Sequence, residues 1–314
     1  MKTILITGIG GDIAQSIALI IRKAFPDWRI VGCDIHERHG GHLVADQFLI
    51  APKANSDNFG DWLFETNKKF TLDFCLPTSE AELDVLTRSG IEQLGTAPII
   101  MPNSLAIKTC LDKFATNKFL KSIEIPAPWT HEAEASISSL SYPCIFKYRR
   151  GAGSRQIFEC QNAEEADFFR RKFPGGIFQE LLLPRIQEVT CAVYRTKQGQ
   201  VKTLQLLREL TGGFTGWAKT IFDPAIEDQC FKIASELELT GSINVQLRLT
   251  DNGPRIFEIN PRFSSTVLIR HLMRFQDVLW TLLEAQGMLP EYYIPEPGMT
   301  GVRVQGAALL RETA

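Results

Sequence analysis

The chain has 314 residues, enough for roughly two domains at about 150 residues each and for cores that need no metal or disulfide staple. Its 34 Lys and Arg against 36 Asp and Glu leave a net charge of −2, which gives no electrostatic ground for nucleic acid or an anionic membrane as a partner. With 44% hydrophobic and 22% charged residues, the composition is that of a globular protein and excludes a disordered one.

Residues 2–7 form a short apolar run that ends in a Gly-rich turn, which predicts a first strand rather than a signal peptide. Asp12 is placed to cap a helix whose apolar positions Ile13, Ile17, Ile20 and Ile21 follow helical spacing. Further strands are predicted at 29–33, 48–51, 73–76 and 98–101. Helices are predicted at 59–67 and from a Ser79–Glu82 capping box toward residue 94. Such βαβα alternation implies a mostly parallel sheet with helices on both faces. Pro102-Asn103-Ser104 punctuates the chain, and the pattern changes after it. Asp112 caps a helix that Ile125-Pro126-Ala127-Pro128 ends. Strands follow at 144–148, 155–159, 176–181, 188–194 and 201–207, then a helix at 225–237. A strand pair at 242–249 and 255–259 is joined by Asp251-Asn252-Gly253, a strong hairpin signal. Helical patterns fill 267–287, so the second part reads as α+β with largely antiparallel hairpins.

The seven cysteines, at 33, 75, 110, 144, 160, 191 and 230, are scattered and never spaced C-x-x-C, which suits a reducing compartment and neither a disulfide framework nor a zinc site. No run approaches the roughly 18 apolar residues of a membrane span. The expected location is the cytoplasm.

Three segments are candidates for chemistry. Thr7-Gly8-Ile9-Gly10-Gly11-Asp12-Ile13-Ala14, with Asp34 at the end of the next strand, has the context of a dinucleotide fingerprint. Any Rossmann-like first turn wants small residues there, and no Tyr is followed four residues later by Lys, as a short-chain dehydrogenase requires. Walker-type phosphate binding is excluded because Gly-Lys occurs nowhere. In the second segment an apolar strand delivers Lys147, and Gly151-Ala152-Gly153-Ser154 follows. This is either an anion-binding loop or a solvated basic hairpin. In the third, Glu258 and Asn260 are two apart on one strand and share a face, with Gln246 across the hairpin. One carboxylate with two amide oxygens is a hard-oxygen set suited to Mg²⁺, and Arg262 adds a fork for a phosphoryl group or carboxylate.

Taken together, Phe146-Lys147, Gly151-Ala152-Gly153-Ser154, Gln179-Glu180, Asn244-Val245-Gln246 and Phe257-Glu258-Ile259-Asn260-Pro261-Arg262 resemble the ATP-grasp superfamily. The chain most resembles its small single-chain members, similar to one half of the carbamoyl-phosphate synthase large subunit. The resemblance implies a Rossmann-like pre-ATP-grasp domain over 1–103, ATP-grasp subdomain A over 104–182, and subdomain B with a C-terminal segment over 183–314. It implies ATP with Mg²⁺ (or Mn²⁺) as cofactors. By position, Lys113 and Lys147 are nucleotide-contacting lysines and residues Gly151, Ala152, Gly153 and Ser154 a closing loop. Glu180, Leu181 and Leu182 are the hinge that reads adenine, and Glu188 binds ribose. Gln246, Glu258 and Asn260 ligate the metal, and Arg262 touches the γ-phosphate or an acyl phosphate. Tyr148 stands where Pro often follows the lysine, Leu183-Pro184-Arg185 replaces a Gly-containing turn, and the segment after Gly301 is short.

The implied reaction is carboxylate–amine ligation through an acyl phosphate, releasing ADP and phosphate. Its partners are small-molecule carboxylates and amines, and a homodimer is common in the family. Alternatives are a phosphotransferase acting on a hydroxyl, a non-catalytic ATP binder and an NAD-dependent reductase. Substrate-side candidates each have a plain reading beside them. Glu80 either holds an amine or hydroxyl or merely starts a helix. Arg208, with residues 211–217, either lines an acceptor pocket or belongs to a long hairpin loop. Arg270 is either a carboxylate clamp or a solvated helix arginine. His36, His39 and His42 read as a solvated loop rather than a zinc site.

Overall fold

The computed structural model describes residues 1–134, 137–151, 157–304 and 306–309. The first part runs β1 (Thr3–Thr7), α1 (Asp12–Ala24), β2 (Arg29–Asp34), β3 (Gln47–Ile50), α2 (Phe59–Phe70), β4 (Phe74–Leu76) and α3 (Glu80–Ser89), then the short pair β5 (Gln93–Leu94) and β6 (Ala97–Pro98). Strands β1 to β4 form a parallel sheet in the order β3-β2-β1-β4. Next come α4 (Ser104–Cys110), α5 (Lys113–Ser122), β7 (Thr130–Glu132), β8 (Cys144–Tyr148), β9 (Ile157–Cys160), α6 (Ala163–Lys172) and β10 (Gly176–Glu180). Their strands make an antiparallel sheet, β7-β10-β8-β9. The chain continues through β11 (Glu188–Arg195), β12 (Val201–Thr211), β13 (Phe214–Ile221), α7 (Pro224–Glu236), β14 (Gly241–Thr250), β15 (Gly253–Asn260), α8 (Val267–Leu272), α9 (Asp277–Ala285) and β16 (Thr300–Val302). These strands build a six-stranded antiparallel sheet, β15-β14-β11-β12-β13-β16. The mixed parallel and antiparallel architecture is the expected fold class. Among the described residues no helix is long and apolar enough to cross a membrane. All seven cysteines are buried and free.

Element boundaries depart from the sequence reading where local backbone chemistry intervenes. Gly11 is the N-cap of α1 and Asp12 its first residue, so the Asp12 carboxylate sits in the first turn, where the helix dipole favours it, without capping. Helix α3 has its capping box but stops at Ser89, because Gly90 adopts the left-handed conformation at φ +65°. The strand expected at 98–101 shrinks to β6 and a single bridge from Ile99 to Cys75. Residues 267–287 split into α8 and α9 around Arg274, whose φ is +73°. The expected long loop at 211–217 is instead a Gly212-Gly213 turn between β12 and β13. Strands β5, β7, β13 and β16 and helices α4 and α6 have no counterpart in the sequence reading.

The cores cut across the chain boundaries read from sequence. Ile4 and Ile6 of β1 face one side of the parallel sheet and Leu5 the other, as a strand covered on both faces requires. On the first side Ile17, Ile20 and Ile21 of α1 pack with Phe263, Val267, Val278 and Leu282, so α8 and α9 complete the core on that face of the parallel sheet. Residues from α4 and α5 (Ala106, Cys110 and Leu120) join α7 on the six-stranded sheet, against Val189, Val193, Val245 and Leu247, rather than the sheet of β7 to β10.

Candidate active site

Strand β8 puts Phe146 into the core beside Phe178 and Ala166, so the next residue, Lys147, points the other way, across a cleft toward the six-stranded sheet. Its ammonium lies 5.8 Å from the centroid of the Phe257 ring on β15, and the residue is only 4% exposed. Burial pulls the Lys147 ammonium down from 10.5 to about 8; the Glu258 carboxylate opposes that shift and the Lys113 charge adds to it. Lys113 opens α5 and donates from Nζ to the Gly151 carbonyl at 2.7 Å. Asp112 caps the same helix through the Phe114 and Ala115 amides and accepts two bonds of 2.8 Å from Arg149 Nε. The base of the loop after β8 is thus pinned to the start of α5. Gly151, at φ +125°, is the last described residue before that loop. The loop candidates Ala152, Gly153 and Ser154 lie outside the described residues.

The β14–β15 pairing places Gln246 opposite Glu258 and Asn244 opposite Asn260, with a bulge after Gln246. Glu258, Asn260 and Gln246 therefore meet on one face, as their spacing implies. In the orientation that satisfies its neighbours, the Asn260 amide nitrogen donates to Glu258 Oε1 (3.3 Å) and Glu80 Oε1 (3.2 Å) and its oxygen accepts from Gln246 Nε2 (3.0 Å). Burial would raise the Glu258 carboxyl, but the combined charge of Lys113, Lys147, Arg262 and Arg208 holds it below the usual value. A carboxylate kept ionised beside two amides, each able to turn its oxygen inward, fits a divalent cation, so the donor set passes the chemical test for Mg²⁺ or Mn²⁺.

Two cavities meet at this face. One, of about 690 Å³, lies between β8–β10 and the six-stranded sheet and is lined by Lys147, Glu180, Leu181, Leu182, Glu188 and Phe257 among others. The second, of about 820 Å³, lies against the C-terminal ends of the parallel strands and is lined by Gly8, Asp34, Thr78, Glu80, Asn260 and Arg262 among others. Arg208, Leu210, Gln246 and Glu258 line both, so the metal-ligand candidates stand at the seam. Each cavity is within the few hundred to about 1,000 Å³ typical of small-molecule sites.

Several candidates sit in the site with partners that sequence spacing does not reveal. Glu188 lines the first cavity, but one oxygen accepts from Arg208 (2.6 and 3.0 Å) and the other from Arg248 (2.6 Å). Glu180 is locked in a two-pronged pair with Arg255 at 2.6 and 2.8 Å, and the Leu182 carbonyl accepts from Arg248 at 2.9 Å. Arg208 spans the seam, 7% exposed, and so belongs to both cavities rather than to a substrate pocket alone. Arg262 is held by Glu80 Oε1 through Nη2 at 2.9 Å and Nε at 3.3 Å. Arg270 is a correction. It is fully buried, paired with Asp277 at 2.6 and 3.0 Å and bonded to Ser264, and it lines neither cavity. It braces the core instead of clamping a substrate.

The glycine-rich turn is also spent locally. The Asp34 carboxylate accepts from the Gly10 and Ile35 amides at 2.9 and 2.7 Å, and a Cβ on Gly8 would stand 2.8 Å from the Thr78 hydroxyl. His36 is exposed, as a solvated loop predicts, but His39 is half-buried, its ring against Gly10 and Phe48. His39 Nδ1 accepts from the Gly41 amide, which puts the proton of the neutral ring on Nε2 and leaves that atom no lone pair for a metal beside Asp34. Residues given no role from sequence are Phe257, Arg248 and Leu210. Arg248 alone had a signal, two residues after Gln246 on the same strand face.

A family model for the ATP-grasp domain matches residues 110–266. Among curated proteins, the D-alanine–D-alanine ligase of Thermotoga petrophila is 32% identical over 126 residues, covering 39% of this chain and 38% of the ligase. The carbamoyl phosphate synthase large chain of Pyrococcus furiosus is 25% identical over 205 residues, 57% of this chain and 19% of that one. The chain thus spans under two fifths of the length of the curated relatives it matches. Among solved structures, the ADP complex of N5-carboxyaminoimidazole synthetase from Staphylococcus aureus superposes with a TM-score of 0.77 at 19% identity, over 94% of this chain and 80% of that one. L-amino acid ligase from Bacillus licheniformis gives 0.70 at 17% identity, over 91% and 74%. At these identities the superpositions establish a shared fold.

Proposed function

The chain belongs to the ATP-grasp family, and from that premise we propose that it is an ATP-dependent ligase that joins a carboxylate to an amine, releasing ADP and phosphate. The observation that carries this reading is the seam. A buried lysine on one side and an ionised Glu258 with two amides on the other face a junction between a nucleotide-sized cavity and a second, larger one.

Lys147, with Lys113 nearby, binds the polyphosphate, and a buried ammonium with no hydrogen-bonded carboxylate among the described residues gains most from an arriving anion. Gly151, its carbonyl held by Lys113, bounds the segment that the family resemblance assigns to the phosphates. Leu181 and Leu182 read the adenine edge through backbone groups, while Glu180 fixes the hinge through Arg255. Glu188 meets the ribose, its orientation set by Arg208 and Arg248. Glu258, Asn260 and Gln246 hold Mg²⁺, which when bound neutralises phosphate charge. Arg262 orients the transferred phosphoryl group or the attacking carboxylate. Phosphoryl transfer asks for positioning and charge neutralisation rather than a covalent nucleophile, so this set suffices. Carboxylate and amine occupy the larger cavity, beside Glu80.

Phosphate release from Mg·ATP across a panel of carboxylates and amines tests the reading. Turnover that needs both partners supports it. Phosphorylated product without free phosphate makes the protein a kinase, and no ADP under any pairing rejects both.

A further inference from the structure

Glu80 is the first residue of α3 and belongs to the first domain, yet its carboxylate touches the metal-ligand strand. Glu80 Oε1 is 3.2 Å from the Asn260 amide atom that also lies 3.3 Å from Glu258 Oε1. With nitrogen in that position, both contacts are hydrogen bonds and no cation is needed. With the amide reversed, the Asn260 oxygen faces two carboxylates at the same distances, an arrangement that only a cation makes favourable. Ligand oxygens at the 2.0–2.1 Å bond length of Mg²⁺ sit about 3.0 Å apart along an octahedral edge, close to the separations present. Gln246, whose amide faces Asn260, is placed to reverse with it. Arg262 holds Glu80 by Oε1 alone, and Oε2 has no hydrogen bond to a described residue.

We propose that Glu80 belongs to the shell of the cation held by Glu258 and Asn260, so that loading the cation reverses the Asn260 amide and ties the first domain to the ATP-grasp sheet through one ion. The proposal rests on the ATP-grasp reading of that strand pair. It makes Glu80 a metal-shell residue rather than a substrate anchor.

Mn²⁺ is the probe, with ADP present, and the free Mn²⁺ signal in electron paramagnetic resonance reads its affinity without any turnover. Glu80→Gln keeps the size and the hydrogen bond to Arg262 but removes the charge. It should weaken Mn²⁺ binding at least about tenfold, since removal of even an outer-shell partner costs that much, with Glu80→Asp in between. Circular dichroism confirms that each variant is folded. Unchanged Mn²⁺ affinity in Glu80→Gln, with Glu258→Gln impaired, overturns the proposal and confines Glu80 to holding Arg262. If Glu258→Gln is unchanged as well, the metal reading of the strand pair falls with it.

Discussion

Lys147 shows how much one side chain encodes when its surroundings are known. Burial lowers its ammonium to about 8, so below that pH it is charged in the folded and the unfolded chain alike. Between pH 8 and 10.5 the unfolded chain holds this proton and the folded one has lost it, so the nucleotide-free protein gains stability as pH rises through that window. A bound polyphosphate reverses the preference. Nucleotide binding should therefore take up about half a proton at pH 8, approaching one near about pH 9, and affinity should fall as pH climbs further. Calorimetry of ADP binding in two buffers of different ionisation heat measures the uptake; none at all would remove Lys147 from the phosphate site. At this scale the sequence was informative about residue types and poor about partners. Glu258 and Asn260 were legible because strand spacing alone decides which face they share, whereas Lys147 read equally as a solvated basic hairpin until the family resemblance placed it. The Glu188–Arg208–Arg248 cluster joins three strands whose register no spacing encodes, and Arg270 finds Asp277 across a helix break.

Among elements, the hairpins on either side of the seam do the positioning. Asp251-Asn252-Gly253 sets the register as far as Leu247 with Ile256, and the bulge after Gln246 then brings Gln246 against Glu258; the turn was readable directly, the bulge was not. The β12–β13 hairpin was not, since Gly212-Gly213 looks the same in a long loop as in a tight turn. Its outer edge is secured by β16, where the pairs are Trp217 with Val302 and Ala218 with Gly301. Beyond β16, Arg303 bonds the Thr215 and Ser265 carbonyls, stacks over Phe214 and faces Asp12 at 3.4 Å. One arginine thus braces three pieces of the larger cavity's wall. Gly301 is required by packing, because a Cβ there would lie 2.6 Å from Ile269 Cγ2. Gly301→Val should cost about 1–3 kcal/mol, the range of an overpacked core, measured as a lowered midpoint in urea. A midpoint equal to wild type would show that β16 does not sit on α8.

For the whole molecule, alternation of strand and helix made the parallel sheet legible, and hairpin signals made the antiparallel part legible. What the sequence hid is that the domains are not independent. The face of the parallel sheet under α1 is completed by Phe263, Val267, Val278 and Leu282, more than 150 residues downstream. A fragment of residues 1–103 should consequently fail to fold on its own, giving poor amide dispersion in NMR; a dispersed, cooperative fragment would contradict this shared core. The same packing anchors the C-terminal edge of the parallel sheet beside Arg262, so the larger cavity needs both halves of the chain.

On the proposed reading, the cleft between Lys147 and Glu258 holds a magnesium nucleotide. Isothermal titration with ADP, with and without Mg²⁺, tests this in the wild type, Lys147→Ala and Glu258→Gln. Mg²⁺ should strengthen ADP binding to the wild type. Lys147→Ala should weaken binding at least about tenfold, the worth of one lost charge-assisted contact of about 1.5–3 kcal/mol, and Glu258→Gln should abolish the Mg²⁺ dependence. ADP affinity indifferent to Mg²⁺ and to both substitutions would contradict it.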